Sequence, residues 1–196
     1  MARIPGVSPQ QVGPEVADTL RSAREMMAQL AGRPTERGAE PVELLAHAPE
    51  LLRGIMAHQQ AAAEAHRVPT QLKHLAELKA AALTNCEYCI DLNSQMSRRA
   101  GLSDEVLLAL PFYKTSPLFT EREKLVLDYA VAATRTPVEV PDELFARLRE
   151  HFDEAQIVEL THAIALENLY ARFNLALGIA AAGFSEGMVC AVPERA

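Results

Sequence analysis

The sequence predicts an all-α fold, and three observations support this prediction. Ala and Leu dominate a composition that is 49% hydrophobic but only 5% aromatic and without Trp, whereas β-sheets favour Val, Ile, Thr and aromatic residues. Apolar residues recur at helical spacing along most of the chain. Capping residues precede these stretches, Gly or Pro follows them, and no segment reads convincingly as a strand.

The chain is expected to begin with an extended N-terminal arm, residues 1–14, because three prolines and two glycines fall within it. In oligomers such arms often lie across a neighbouring subunit. The rest, residues 15–196, is predicted to form a single all-helical domain. Helices are predicted at residues 15–31, 49–66, 71–84, 86–100, 104–110, 120–134, a short stretch from 142, and 153–182. Loops are expected at residues 32–41 and 111–119.

Several of these helix starts carry capping residues. Thr70 and Asn85 are the predicted N-caps of the two helices that follow them, and Thr120 and Glu123 have the spacing of a capping box. The last long helix, 153–182, is apolar nearly all round. That pattern is typical of a helix buried in a core or in a subunit interface.

Charge and hydropathy exclude several classes of partner. The net charge is −7 and no Lys/Arg run exceeds two residues, so nucleic acid is not an expected partner. No apolar stretch reaches the roughly 20 residues that a membrane-spanning helix needs, and the N-terminus lacks the apolar core of a signal peptide. We therefore expect a cytoplasmic protein with no membrane partner. In that reducing compartment, a close cysteine pair is redox-active or metal-binding rather than structural.

Two of the three cysteines, Cys86 and Cys89, stand where a helix is predicted to begin. With Asn85 as N-cap they occupy the first and fourth helical positions, so both sulfurs lie on one face and can form a disulfide after local adjustment. The free N–H groups and the positive dipole end there favour a thiolate. Zinc would need two further ligands, and none follows at a suitable spacing. Ordinary core cysteines are the other alternative. Redox chemistry is the favoured interpretation.

The surroundings of this pair resemble those of a known family. The resemblance centres on residues 75–92 (LAELKAAALTNCEYCIDL) and continues through 97–102 (SRRAGL), 118–124 (LFTEREK) and 167–179 (ENLYARFNLALGI). It covers most of residues 42–184, and the combination is specific where Cys-x-x-Cys alone is not. The chain resembles the carboxymuconolactone decarboxylase superfamily, in its alkylhydroperoxidase D-like (AhpD-like) branch.

The resemblance implies an all-helical bundle that assembles into homo-oligomers and carries out peroxidase chemistry at the cysteine pair. In such proteins peroxide oxidises the second cysteine to a sulfenic acid, and the first condenses with it to form a disulfide. Cys89 is then the peroxidatic residue and Cys86 the resolving one. The implied partners are a peroxide or small disulfide substrate and an external thiol reductant, either a protein or a low-molecular-weight thiol. No cofactor and no metal are expected.

Three positions depart from the proton relay of that family. The relay has Glu twelve positions before the first cysteine, His just before the second and His four positions after it; here these are His74, Tyr88 and Asn93. Glu77, one turn from His74 on the same helical face, is the candidate replacement, acting with His74 or Tyr88. A straight helix would put Glu77 about 13 Å from the first cysteine, so this relay requires the chain to fold back at residues 84–85. The alternative is an exposed His74–Glu77 surface pair. Asn93 can hydrogen-bond a thiolate but cannot transfer a proton.

The leading functional prediction is therefore a thiol peroxidase or disulfide reductase in which Cys89 and Cys86 react. A decarboxylase-type lyase is the second alternative, although it has no use for a cysteine pair and needs His and Glu acid–base groups. The third is a non-enzymatic redox sensor or interaction subunit whose disulfide changes its assembly. Four polar residues on the last helix need partners if they are buried, and they either line the cysteine pocket, line an interface or are structural: His162, Asn168, Arg172 and Asn174.

Overall fold

The computed structural model describes residues 2–194, which form helices and the turns that join them. Nine α-helices occur within that range: Pro14–Ala31 (α1), Glu40–Leu45 (α2), Pro49–Glu64 (α3), Thr70–Thr84 (α4), Glu87–Arg99 (α5), Asp104–Ala109 (α6), Glu121–Thr134 (α7), Asp142–His151 (α8) and Glu154–Leu177 (α9). Two short 3-10 turns occupy Pro9–Gln11 and Leu110–Phe112. None of the described residues is in a strand, and the all-α prediction is confirmed.

Helices with side-chain caps begin where the sequence predicts. Thr120 and Glu123 form a capping box at the start of α7, and Asp153 and Gln156 form another at the start of α9. In each box the first side chain accepts a hydrogen bond from the backbone of the second residue, and the second reaches back to the backbone of the first. Ser103 caps α6 through its hydroxyl.

Some predicted boundaries are wrong. Helix α4 begins at Thr70 itself, so its N-cap is Pro69. Helix α2 starts inside the predicted loop and has only six residues, too few to show a periodic pattern. Helix α9 ends at Leu177 rather than at Ala182, because Gly178 takes a left-handed conformation (φ 71°) and closes the helix.

Helix α4 lies at the centre of the bundle and packs against α5, α7 and α9. Its C-terminal part carries three consecutive alanines, residues 80–82, all fully buried. Small side chains at these positions let the neighbouring helices approach closely, as helix packing at short interaxial distance requires. The cysteine helix and the last long helix are therefore held side by side on one central scaffold.

The N-terminal arm lies on its own chain. The backbone N–H of Arg3 donates to the carbonyl of Leu177 at the end of α9 (2.7 Å), and that of Val7 donates to the carbonyl of Glu43 in α2 (3.1 Å). Val7 is also 8% exposed and belongs to a small apolar cluster with α1 and α3. These contacts tie the arm to the body of the bundle.

Residues 179–194, the C-terminal strap, follow α9 and cross α4 and α5. The hydroxyl of Ser94 accepts the backbone N–H of Ala191 (3.0 Å). Near its end, Glu194 receives two hydrogen bonds from the ammonium of Lys79 (2.5 and 2.6 Å), and Lys79 is only 1% exposed. Burial lowers the pKa of Lys79, and the Glu194 carboxylate partly offsets that effect. The strap thus supplies the counter-charge for a cation in the core.

Among residues 2–194, no helix is both long enough and apolar enough to cross a membrane.

Candidate functional site

The junction between α4 and α5 sets the position of the two cysteines. Helix α4 closes in a Schellman motif: the N–H of Asn85 bonds to the carbonyl of Ala82 (3.3 Å) and that of Cys86 to the carbonyl of Ala81 (3.2 Å). Asn85 is left-handed (φ 57°, ψ 36°), a conformation that Asn tolerates better than most residues. The prediction that Asn85 is the N-cap of α5 is therefore wrong, because it ends α4 and leaves that role to Cys86. The chain folds back here, as the relay hypothesis requires.

Cys86 and Cys89 are joined in a disulfide, with their Cα atoms 5.2 Å apart. The sulfur of Cys86 accepts a hydrogen bond from the backbone N–H of Cys89 (3.3 Å), in the place that a cap oxygen usually takes. Cys86 is fully buried and Cys89 is 3% exposed. When the pair is reduced, the free N–H groups and the dipole at the start of α5 stabilise a thiolate.

Helix α9 brings one side chain directly to the sulfurs. The amide nitrogen of Asn174 lies 3.5 Å from the sulfur of Cys89 and 3.9 Å from that of Cys86. Asn174 is 2% exposed, and its amide oxygen has no hydrogen-bond partner among the described residues. The amide is thus positioned to donate to a thiolate on either cysteine. Of the four polar residues that the sequence singles out on this helix, Asn174 is the one that lies at the cysteine pair.

The other three polar residues have partners elsewhere. His162 bonds to His58 on α3 through ring nitrogens 2.6 Å apart. Asn168 donates to the Thr134 hydroxyl on α7 (3.1 Å), and Arg172 donates to the side chain of Asn168 (2.7 Å). These contacts join α9 to α3 and α7, so a structural role accounts for them.

Two of the predicted relay residues form a pair on α4. Nδ1 of His74 lies 2.9 Å from a carboxylate oxygen of Glu77. The side chains are 13% and 23% exposed, so the pair is largely covered rather than an exposed surface contact.

The two substituted positions on α5 point in different directions. The hydroxyl of Tyr88 donates to the carbonyl of Gly38 (2.5 Å), its ring packs edge-on against Phe184, and burial raises its pKa. Its proton is thus engaged away from the relay. Asn93, in contrast, donates its amide N–H to a carboxylate oxygen of Glu167 on α9 (3.1 Å).

Glu167 is the site residue that sequence reasoning missed. It is 8% exposed, and its second carboxyl oxygen is buried with no hydrogen-bond partner among the described residues. Burial raises the pKa of Glu167 to about 8, and the nearby charge of Glu77 acts in the same direction. Its one signal in the sequence is an acid within an apolar helix, which does not reveal what it faces.

Replacing Glu167 by Gln is expected to stabilise the oxidised protein at alkaline pH. Because the folded-state pKa is raised to about 8, the stability that Glu167 contributes is complete below its ordinary pKa and is lost as the pH rises through about 8. Gln has no charge to bury. The free energy of unfolding of Glu167→Gln, relative to that of the natural protein, should therefore rise by on the order of 2–4 kcal/mol from pH 5 to pH 9. Urea unfolding followed by circular dichroism at both pH values measures this. A pH-independent difference between the two proteins would contradict it.

Within residues 2–194, no group of three or more His, Cys, Asp and Glu side chains is arranged to hold an ion. A cavity of about 800 Å³ lies beside the outer face of α5, lined in part by Glu87, Asp91 and Cys190. Cys190 is a free, half-buried thiol.

The fold and the site together define a class: an all-helical protein with a buried Cys-x-x-Cys disulfide at a helix start, contacted by a polar side chain from another helix. The carboxymuconolactone decarboxylase family matches this chain over residues 49–132. The chain belongs to that family, in its AhpD-like branch.

Two proteins are similar to this chain in sequence. The uncharacterized protein YnjA of Escherichia coli is 42% identical over 125 residues, covering 63% of this chain and 65% of YnjA. The uncharacterized protein YdfG of Bacillus subtilis is 31% identical over 111 residues, covering 56% of this chain and 76% of YdfG. The match thus spans slightly less than two thirds of the first relative and about three quarters of the second.

Three solved structures are similar. A protein of unknown function from Agrobacterium tumefaciens, whose name links it to antioxidant defence and to AhpD, has a TM-score of 0.62 and 29% identity over 70% of this chain and 94% of its own. A peroxidase-related protein with an AhpD core from Ralstonia eutropha has a TM-score of 0.74 and 20% identity, covering 91% and 90%. The debrominase Bmp8, in complex with 2,3,4-tribromopyrrole, has a TM-score of 0.73 and 21% identity, covering 91% and 92%. The last two show the fold.

Proposed function

We propose that this protein is a thiol-dependent peroxidase or disulfide reductase that cycles between a dithiol and a disulfide at Cys86 and Cys89. One observation carries the proposal: the two sulfurs are already paired at the start of α5, with the Asn174 amide directed at both. A helix start and an amide donor are the surroundings that favour a reactive thiolate. An antioxidant-related role agrees with the family and with the name of the Agrobacterium relative.

The reaction needs only the two cysteines, a peroxide and a reductant. The Cys89 thiolate attacks one peroxide oxygen, the O–O bond breaks, and an alcohol or water leaves after taking up a proton. Cys89 is then a sulfenic acid. The Cys86 thiol attacks that sulfur and water departs, which leaves the disulfide. An external thiol reductant, either a protein or a low-molecular-weight thiol, restores the dithiol by exchange.

The setting of this chemistry is also part of the proposal. A reducing, cytoplasmic location would keep the reductant available. A homo-oligomer is supported by apolar side chains that α9 leaves exposed, namely Val158, Leu169 and Leu175.

Peroxide consumption by the pre-reduced protein tests the proposal. The reduced protein should consume about one equivalent of hydrogen or organic peroxide per cysteine pair and lose 2 Da in mass as the disulfide forms. With a thiol reductant present, consumption should continue over many turnovers. Stopped-flow fluorescence and mass spectrometry report the two quantities. Absence of both consumption and disulfide formation would contradict the proposal.

A redox sensor is favoured by a different observation, the near-complete burial of both sulfurs, which limits access of substrates. A sensor should change its oligomeric state between the reduced and oxidised forms while turning over little peroxide. Size-exclusion profiles with and without reductant separate the two functions.

The lyase alternative gains one observation from the structure. His74, Glu77 and Glu167 form the acid–base group that it requires. A lyase would act on a lactone equally well with the cysteines reduced or oxidised, and the proposed peroxidase would not act on it at all.

A further inference from the structure

Glu167 is a buried carboxyl group that contacts Asn93, one turn after Cys89 on α5, and the cysteine chemistry described so far does not use it. One of its oxygens accepts the amide N–H of Asn93 (3.1 Å). The other is buried and has no partner among the described residues. A buried carboxyl oxygen without a partner is costly, and such a group in a native structure calls for an explanation.

The position of Glu167 relative to the sulfurs follows from the two helices that contribute to the site. On α5, Asn93 stands one turn after Cys89 on the same face. On α9, Glu167 stands two turns before Asn174, whose amide contacts the sulfur of Cys89 at 3.5 Å. The Asn93–Glu167 contact is therefore the next polar contact along the α5–α9 seam after the sulfurs themselves.

Glu167 is also connected toward the solvent. The charge of Glu77 acts on it from α4, and Glu77 is paired with His74 at 2.9 Å. The two α4 side chains retain 23% and 13% exposure. Glu167, Glu77 and His74 thus form a row of titratable groups that ends at the partly exposed pair on α4.

We propose that Glu167 is the proton store of the cysteine pair, which takes the proton of the Cys89 thiol and later returns it to the leaving oxygen of the peroxide, while Glu77 and His74 exchange protons with solvent. This rests on the proposed function. In this proposal a residue of α9 performs the proton transfer for which the relay residues at positions 74, 88 and 93 are substituted in this chain.

The protons balance over one cycle. Ionisation of Cys89 passes one proton to the Glu167 carboxylate. Attack of the thiolate then breaks the O–O bond, and Glu167 returns that proton to the departing alkoxide, giving an alcohol and the sulfenic acid. When Cys86 displaces the sulfenic oxygen, its own thiol proton and the S–OH group leave together as water. Peroxide is the oxidant, and the two sulfurs supply both electrons.

The surroundings of Glu167 suit a store that both takes and gives a proton. Burial and the charge of Glu77 bring its pKa to about 8, near neutral pH, where an acid–base group is most effective. The titratable groups that act on it are Glu77 from α4 and Tyr170 from α9 itself, and Glu77 is in turn paired with His74. The neutral amide of Asn93 on α5 contacts it directly.

The test compares Glu167→Gln with the natural protein in two measurements across pH 5–10. In single-turnover reaction of the reduced protein with peroxide, Glu167→Gln should be slower by about 10²-fold at neutral pH, as loss of an acid–base group predicts. In alkylation of the reduced pair by iodoacetamide, the natural protein should show a second inflection from Glu167, and Glu167→Gln should show one inflection only. Glu167→Asp should restore the second inflection, since it keeps a titrating carboxyl.

A second buried glutamate of the same helix provides the matched control. Glu159 is 8% exposed and pairs with Lys73 at 2.9 Å, far from the sulfurs along α9. Glu159→Gln should lower thermal stability yet keep both pH profiles. Identical alkylation profiles for Glu167→Gln and the natural protein would overturn the inference. If the natural protein consumes no peroxide but its alkylation profile depends on Glu167, the proposed peroxidase function and the return of the proton to peroxide both fail, and only the proton exchange between the Cys89 thiol and Glu167 stands.

Discussion

Replacing Cys89 by Ser is expected to abolish the reaction of the reduced protein with peroxide, with a loss of at least about 10³-fold, as removal of a nucleophile causes in other covalent catalysts. Replacing Cys86 by Ser should leave the first oxidation intact and stop the cycle at the sulfenic acid. The physical reason is that the Cys89 sulfur is the more accessible of the two and lies closer to a hydrogen-bond donor. Cys89 has the exposed fraction of the pair, 3% against none for Cys86, and the Asn174 amide lies closer to its sulfur.

The competing consideration is the helix dipole. Cys86 is the N-cap of α5 and its sulfur already accepts the N–H of Cys89, so its thiolate is also stabilised. Stopped-flow peroxide consumption, with trapping of the sulfenic acid by dimedone and mass spectrometry, distinguishes the two residues. A sulfenic acid trapped on Cys86 in the Cys89→Ser variant would reverse the assignment. Equal rates in both variants and the natural protein would contradict a cysteine peroxidase altogether.

Replacing Asp91 by Ala is expected to cost about 3–5 kcal/mol of stability, because a buried carboxylate that accepts several hydrogen bonds is lost. Asp91 is 5% exposed. Its two oxygens accept four backbone N–H groups of the C-terminal strap, at residues 182–185, over 2.7 to 3.0 Å. Alanine leaves those donors without an acceptor, and the strap should detach before the helices unfold.

Two measurements check the Asp91 prediction. Urea unfolding gives the change in stability, and hydrogen exchange at residues 182–185 shows whether the strap opens first. Cys190 lies on the strap and is the free thiol of the oxidised protein, so its labelling by a thiol reagent should accelerate in Asp91→Ala. Asp91→Asn is the matched control: it keeps one acceptor oxygen and should lose roughly half as much. A loss below about 1 kcal/mol in Asp91→Ala, typical of an ordinary surface change, would contradict this account.

Local signals in the sequence predicted much of the fold. The capping-box pattern at Thr120 predicts the start of α7, because such caps depend on residues only three positions apart. The start of α9 also lies where the sequence predicts, and the structure adds the capping box at Asp153. Helix ends were harder to predict. Asn85 satisfies the composition of an N-cap and also that of a left-handed C′ residue, and only the path of the chain between α4 and α5 decides which role it takes.

The candidate site, too, was predicted from the sequence only in part. The sequence showed the cysteine pair, the relay substitutions at His74, Tyr88 and Asn93, and the nearby Glu77. It did not show that Tyr88 turns toward Gly38 or that Asn93 meets Glu167. From the same helix α5, Tyr88 meets the segment before α2 and Asn93 meets α9, and the partner that each one finds is a property of packing.

The sequence by itself determined the all-α class, the family and the two sulfurs, because helical periodicity, capping and a Cys-x-x-Cys motif are all written within a few consecutive residues. Only the tertiary structure placed Asn174 beside those sulfurs and Glu167 within reach of Asn93 and Glu77. These residues lie 74 to 90 positions apart in the chain. Their proximity arises from α4, α5 and α9 packing side by side, and the raised pKa of Glu167 arises from the burial that this packing creates.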